Sequence, residues 1–562
     1  MTQVTQSGVA GGNALADKRV NFNYNADGQF NTISRYADLA GNDLVASGTY
    51  GYNAAGELAS LSYTQGSTGL AAYQWQYDAA GNVTQMLSGA DAAPGSSWGE
   101  VDCQYGNTNQ LTGAIYTNFA NAPANESYGY DSNGNRTSRG IGSASVVGAD
   151  NQIFFDGTYT YCYDADGNET ARWVASGSGE TQPGPGDTDI TTYAWDYRNR
   201  LTTVTHYASY AAFGGDSPDK TVAYSYDALN RLVTETVTLG DGSWTKTAFV
   251  YDGSQVALQF DSSGTSGTPG TLAAADLSHR YLWGPAVDQL LADEQVTTPS
   301  QSGTVAWALT DNQGTVRDLA VYNASTGTTT IVDHRVYDAF GNLVSQTNPA
   351  TGTAAAVDCL FGYTGQMFDQ YTGLQYNRLR WYDPRLSRFM SQDPSGFLYG
   401  DANLYRYVGN SPANYTDPWG LCENPTPPLT NPSTGDVQYQ IGDPSWNAGV
   451  PPTPISQIPP PNLVPNPFDP GGPPLEIGGG NGLNNITNQL GLPPITNTPG
   501  VPKTYSPPGW GSVGIGENPG LPGYYGPNMG LPGSWGPSIG VGTTGRGVGI
   551  GAGVDLGPKQ SR

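Results

Sequence analysis

The forty residues from Tyr382 to Leu421, "YDPRLSRFMSQDPSGFLYGDANLYRYVGNSPANYTDPWGL", contain three Asp-Pro steps, at Asp383, Asp393 and Asp417. Asp-Pro is a favoured turn start, because the carboxylate accepts from nearby backbone and proline presets φ. Carboxyl groups that turns bring together have a second use. Two of them within a few ångströms cannot both ionise cheaply, so one keeps its proton as an acid while the other activates water. The chain changes character at Cys422, whose thiolate could attack the Leu421 carbonyl in an N-to-S acyl shift, although no evident base lies beside it. The chemical question is whether this segment only ends a folded unit or also acts on the bond that follows it.

Other chemistries have little to draw on. Cys103, Cys162, Cys359 and Cys422 are scattered without CxxC spacing, and His206, His279 and His334 are the only histidines, so neither a zinc site nor a cofactor site is visible. With 23 basic against 48 acidic residues, the formal charge of -25 repels phosphate backbones and anionic headgroups, and nucleic-acid binding by the whole chain is not expected. No apolar run is long enough for a membrane span, and the first twenty residues lack the basic and apolar regions of a signal peptide.

The elements that must position these aspartates are β. Gly (77), Pro (41) and Tyr (36) are plentiful, charged residues make up only 13%, and no long helical stripe occurs, which predicts an all-β chain. Its unit repeats: "YQWQYDAAGNVTQM", "YGYDSNGNRTS", "YTYCYDADGNETARW", "YSYDALNRLVTETV" and "HRVYDAFGNLVS" share Tyr-Asp, two residues, then Gly-Asn or Asn-Arg. Each reads as a hairpin. Asp78, Asp131, Asp164, Asp227 and Asp338 are placed to accept at the first turn position, and Gly81, Gly134, Gly167 and Gly341 lie where a left-handed residue is needed. The copies are unevenly spaced, 53 residues from Tyr77 to Tyr130 and 33 from Tyr130 to Tyr163, so loops of variable length are expected between hairpins.

These hairpins resemble the YD repeats of the Rhs family, shared with insecticidal toxin complexes and teneurins, and the stretch from Thr372 to Leu421 resembles the Rhs-repeat-associated core. The resemblance implies a β array that winds into all or part of a shell, and a secreted or cell-surface location. It also implies that the core cuts the chain after the Leu of its Asp-Pro-x-Gly-Leu ending, here the Leu421-Cys422 bond, with an aspartate pair assigned to Asp393 and Asp417 and Arg388 as the supporting charge. Asp401 is a substitute for either aspartate, and Asp383 is assigned to turn structure. Ser387 stands where the family usually has Gly, at a cost of about 1 kcal/mol if the backbone there is left-handed.

The expected organisation is a lead-in over 1–20, a YD-repeat array over 21–345, a core over 346–421 and a Pro/Gly-rich tail over 422–562. The tail carries 28 of the 41 prolines and only 11 charged residues in 141 positions, a composition that predicts disorder. Toxin members of the family carry a nuclease, deaminase or other effector there, but no such constellation of residues is visible. Two functions follow as expectations. One is a scaffold that encloses or releases its own C-terminal segment by self-cleavage; the other is a non-catalytic surface protein that binds carbohydrate or a neighbouring cell.

Overall fold

The computed structural model describes residues 1–8, 14–92, 95–139, 145–177, 179 and 181–421, and beyond these only the backbone of short strands between residues 424 and 554. The chain forms two compact units, Met1–Gly449 and Val450–Arg562. In the first unit an eleven-stranded sheet runs from Gln3–Gln6 to Arg136–Arg139, and a sixteen-stranded sheet from Val146–Val147 to Leu343–Thr347. Both keep strict chain order, so each is a continuous antiparallel meander of hairpins without crossovers. The all-β expectation holds: among the described residues the one α-helix is the five-residue Tyr210–Gly214. In the second unit the described backbone forms small antiparallel pairings such as Pro537–Thr544 with Gly547–Val554. The disorder expected for the tail lies outside the described residues.

Turn chemistry is the repeated local cause of this architecture. Asp78 Oδ1 accepts from the Ala80 and Asn82 amides at 2.8 and 2.9 Å, and its Oδ2 accepts from the Asn82 side chain at 2.9 Å, while Gly81 adopts φ +83°. Asp131, Asp164 and Asp338 bind Asn135, Asn168 and Asn342 in the same way. At Asp196 and Asp227 an arginine replaces the asparagine, with Arg200 and Arg231 each donating Nε at 2.7 Å. The preceding tyrosine faces backwards: the hydroxyls of Tyr77, Tyr130, Tyr226 and Tyr251 each donate at 2.7 Å to the carbonyls of Leu58, Leu111, Leu201 and Leu232. The aspartate closes its own turn and the tyrosine fastens that turn to the one before. The 53-residue step from Tyr77 to Tyr130 contains a further turn closed between Gly106 and Gln110, whose Tyr105 hydroxyl donates to the Val83 carbonyl at 2.8 Å, so the turns stack more evenly than the Tyr-Asp pairs alone suggest.

The two sheets meet through both apolar and ionic contacts. Phe22, Phe30, Tyr63 and Tyr73 of the first pack with Leu291, Trp307 and Leu309 of the second. Buried Lys18 pairs with Glu294 at 2.5 Å, Arg317 with Asp91 at 2.7 Å, and His334 lies between Asp91 at 2.9 Å and Asp318 at 2.7 Å. A four-stranded sheet follows, Met367–Asp369, Leu374–Asn377, Arg380–Asp383 and Arg388–Phe389, whose Leu374, Tyr376 and Trp381 enter the core built by Leu232, Leu290 and Val316.

Candidate functional site

The segment carrying the three Asp-Pro steps is threaded along the tips of the YD turns. The Tyr376 hydroxyl donates to the Asn230 carbonyl at 2.7 Å, Asn403 Nδ2 to Asn135 Oδ1 at 2.8 Å, the Tyr405 hydroxyl to the Gly167 carbonyl at 2.8 Å and Asn410 Nδ2 to the Gly134 carbonyl at 2.7 Å. Asn414 Oδ1 accepts from the Val83 amide at 2.7 Å. Turns far apart in sequence thus fix one path for the core.

That path brings Asp393 and Asp417 to a single nitrogen. Arg380 Nη2 lies 2.8 Å from Asp393 Oδ2 and 3.4 Å from Asp417 Oδ2, with both the Arg380 and Asp417 side chains 3% exposed. The rest of the guanidinium is also engaged: Nε donates to the Gly420 carbonyl at 2.5 Å, Nη1 to the Leu404 carbonyl at 3.0 Å, and its carbon sits 3.6 Å from the centre of the Phe389 ring. Asp417 Oδ1 accepts from the Leu421 amide at 3.1 Å, and Asn377 Nδ2 donates to the Asp417 carbonyl at 2.6 Å. Gly420 has φ +68°, and a Cβ there would lie 2.8 Å from the Asn377 carbonyl oxygen. The chain end Asp417–Leu421 is therefore held by one carboxylate and one guanidinium that also meet each other. Leu421 is half-buried; Cys422, and with it the thiol of the acyl-shift alternative, lies outside the described residues.

Arg388 stands elsewhere. Strand register places it opposite Asp383, on the face of the sheet away from Arg380 and Phe389. Its Nη2 donates to the Asn151 carbonyl at 2.5 Å and its guanidinium lies 4.6 Å from the Tyr405 ring centre. The supporting charge between the aspartates is Arg380, not Arg388. Asp383 accepts from the Arg385 amide at 2.9 Å and pairs with that side chain at 2.8 Å. Burial opposes its ionisation, but Arg385 outweighs this and holds the carboxyl below its ordinary pKa. Asp401 pairs with Arg406 at 2.9 Å and caps the Asn403 amide, apart from the other two. Arg380 and Asn377 were legible as polar residues at the ends of two paired strands; a motif without strand register could not say which arginine faces the aspartates.

The family model described as Teneurin YD-shell matches residues 290–413, and that described as RHS Repeat matches residues 52–93. The chain is 40% identical over 117 residues to double-stranded DNA deaminase toxin A of Burkholderia cenocepacia, covering 19% of this chain and 8% of that protein. It is 29% identical over 235 residues to the tRNA nuclease WapA of Bacillus subtilis, covering 41% of this chain and 8% of that one. A crystal structure of TcdB2-TccC3-Cdc42 is similar with a TM-score of 0.45 at 18% identity, covering 75% of this chain and 21% of that chain. The chain spans 8% to 34% of the length of the first three curated relatives it matches. With the Tyr-Asp turns repeated through both sheets and the family matches in each, the chain belongs to the Rhs/YD-repeat proteins.

Proposed function

We propose that this chain is a secreted or cell-surface YD-repeat scaffold whose core hydrolyses the Leu421-Cys422 bond and so frees the C-terminal segment as a separate piece. The observation that carries the reading is the meeting of Asp393, Asp417 and Arg380 around the backbone of Gly420 and Leu421. One guanidinium balances one carboxylate, an arrangement suited to one charged and one protonated carboxyl. The charged member takes a proton from water as the water oxygen bonds to the Leu421 carbonyl carbon. The protonated member gives its proton to the Cys422 nitrogen as the C–N bond breaks. The products are a Leu421 carboxylate and a Cys422 α-amine.

The test is expression of the intact chain, followed over time on a denaturing gel with N-terminal sequencing. The expected fragment begins at Cys422 and holds 141 residues, from 422 to 562. Asp393→Asn and Asp417→Asn abolish it, and Cys422→Ala does not. Cleavage lost with Cys422→Ala but kept in both aspartate variants would establish the acyl shift instead. A wild-type chain that stays full length for days would leave the non-catalytic surface reading.

A further inference from the structure

Four consecutive residues donate to the four consecutive carbonyls that precede Leu421. Asn377 Nδ2 donates to the Asp417 carbonyl at 2.6 Å, Arg378 Nη1 to the Pro418 carbonyl, the Leu379 amide to the Trp419 carbonyl at 3.3 Å, and Arg380 Nε to the Gly420 carbonyl at 2.5 Å. Each donor stands forty residues before its acceptor, so the two segments run in step. The donors form the hairpin turn between the strands Leu374–Asn377 and Arg380–Asp383. There the series stops: the next residue, Trp381, pairs with Tyr376, and its indole donates to the Tyr226 hydroxyl at 3.0 Å. The Leu421 carbonyl, which the proposed hydrolysis attacks, is the first beyond the series.

The turn holds this shape at a conformational cost. Arg378 opens the two-residue loop with φ +57°, where glycine would be unstrained. Its guanidinium is braced by the connection that precedes the strand Leu290–Gln295. Asp288, 4% exposed, accepts from Arg378 Nη1 at 3.1 Å and from Nη2, and also from Gln366 Nε2 at 2.5 Å and Gln255 Nε2 at 3.2 Å. With Asp288 fixed in this way, the Arg378 fork is aimed at Pro418 and its carbon lies 4.8 Å from the Trp419 ring centre.

We infer that the turn Asn377–Arg380 is the specificity-determining element of the proposed cleavage, with Arg378 as a positioning residue: it selects the bond by holding the four carbonyls before Leu421 and does not read the Leu421 side chain. Every residue carries a carbonyl, so recognition of this kind counts positions. A side-chain demand falls on Gly420, whose φ is +68° and whose Cβ would lie 2.8 Å from the Asn377 carbonyl oxygen. Leu421 is engaged through its amide, which donates to Asp417 Oδ1 at 3.1 Å. The role rests on the proposed hydrolysis; the contacts do not.

Two measurements separate the role from the contacts. In the full-length chain carrying Leu421→Ala and Cys422→Leu, N-terminal sequencing is expected to find a fragment that still begins at position 422. A fragment beginning at Glu423, or none where the wild type cleaves, means that side chains at the cut are read and overturns the inference. The second measurement needs no cleavage. Hydrogen–deuterium exchange in the full-length Asp393→Asn chain is expected to show the Trp419, Gly420 and Leu421 amides protected. Adding Arg378→Lys keeps a charge for Asp288 but not the fork that also reaches Pro418, and should speed their exchange about tenfold or more with little change in melting temperature. Unchanged exchange overturns the template whether or not the wild type cleaves. Faster exchange beside a wild-type chain that never cleaves refutes the proposed function alone.

Discussion

His334 is the most informative single residue for testing how the two sheets are joined. Its Nε2 lies 2.9 Å from Asp91, which belongs to the first sheet's connections, and its Nδ1 lies 2.7 Å from Asp318 in the second. Arg317 reaches the same Asp91 at 2.7 Å, and the Tyr73 hydroxyl donates to Asp318 at 3.1 Å. Burial alone would lower the His334 pKa, but the hydrogen bonds and charges of Asp318 and Asp91 outweigh it and push it from 6.5 to about 10. Because the folded-state value is the higher one, the stabilisation is complete below pH 6.5 and drains away as pH rises through about 10. A difference of that size corresponds to an effect on the order of 5 kcal/mol across the window. His334→Gln keeps hydrogen-bonding capacity but not the charge. Urea unfolding monitored by the chain's tryptophan emission, to which buried Trp307 contributes, should show the wild type well above the variant at pH 6, with the gap mostly closed at pH 10. An equal gap at both pH values would mean that His334 is not held as a cation, and the clamp as argued would be wrong.

Three further outcomes follow from named contacts. Glu169 is 1% exposed with one carboxyl oxygen unpartnered, and burial and Asp383, opposed by nearby arginines, raise its pKa from 4.5 to about 8. Stability is therefore lost as pH rises from the unfolded value through the folded one, and Glu169→Gln should melt higher than wild type at pH 8 and alike at pH 4. Tyr77→Phe removes the 2.7 Å bond to the Leu58 carbonyl and should lower stability by about 1 kcal/mol in denaturant titration, without altering the far-UV spectrum. Gly420→Ala places a Cβ 2.8 Å from the Asn377 carbonyl at φ +68°, so the chain end must shift off Arg380; the fragment starting at Cys422 should be lost on gels while the melting temperature changes little.

What the sequence disclosed depended on how local the interaction was. The Asp78–Gly81–Asn82 turn closes within five residues, so residue type and spacing contained nearly all of its geometry, and the same was true of every copy. The backward reach of Tyr77 to Leu58 spans nineteen residues, as do those of Tyr130 to Leu111 and Tyr251 to Leu232, a separation that local turn chemistry does not reveal without the strand pairing. At the candidate site, Asp393 and Asp417 were nameable from their motif, but their meeting is arranged by Arg380 and by turns as distant as Gly134 and Val83. Choosing Arg380 over Arg388 needed the pairing of Asp383 with Arg388, since one strand step reverses which face a side chain serves.

Ser387 shows why the core depends on the whole array. It occupies φ +59°, where glycine would avoid a cost of about 1 kcal/mol. Glycine, however, would have no side chain to receive Arg136, whose Nη1 and Nη2 donate to Ser387 Oγ at 2.8 and 2.5 Å. A hydrogen bond to a charged donor is worth about 1.5–3 kcal/mol, enough to offset the strain. Arg136 begins the last strand of the first sheet, and its guanidinium also lies over the rings of Tyr128 and Phe340 at 4.7 and 5.0 Å. The hairpin that presents Arg380 is thus tied on one side to the first sheet through Ser387 and on the other to the second through Tyr376 and Asn230. Neither sheet alone supplies both anchors, so the position of the hairpin that carries Arg380, and with it the place where Asp393 and Asp417 meet, is fixed by the repeats on both sides.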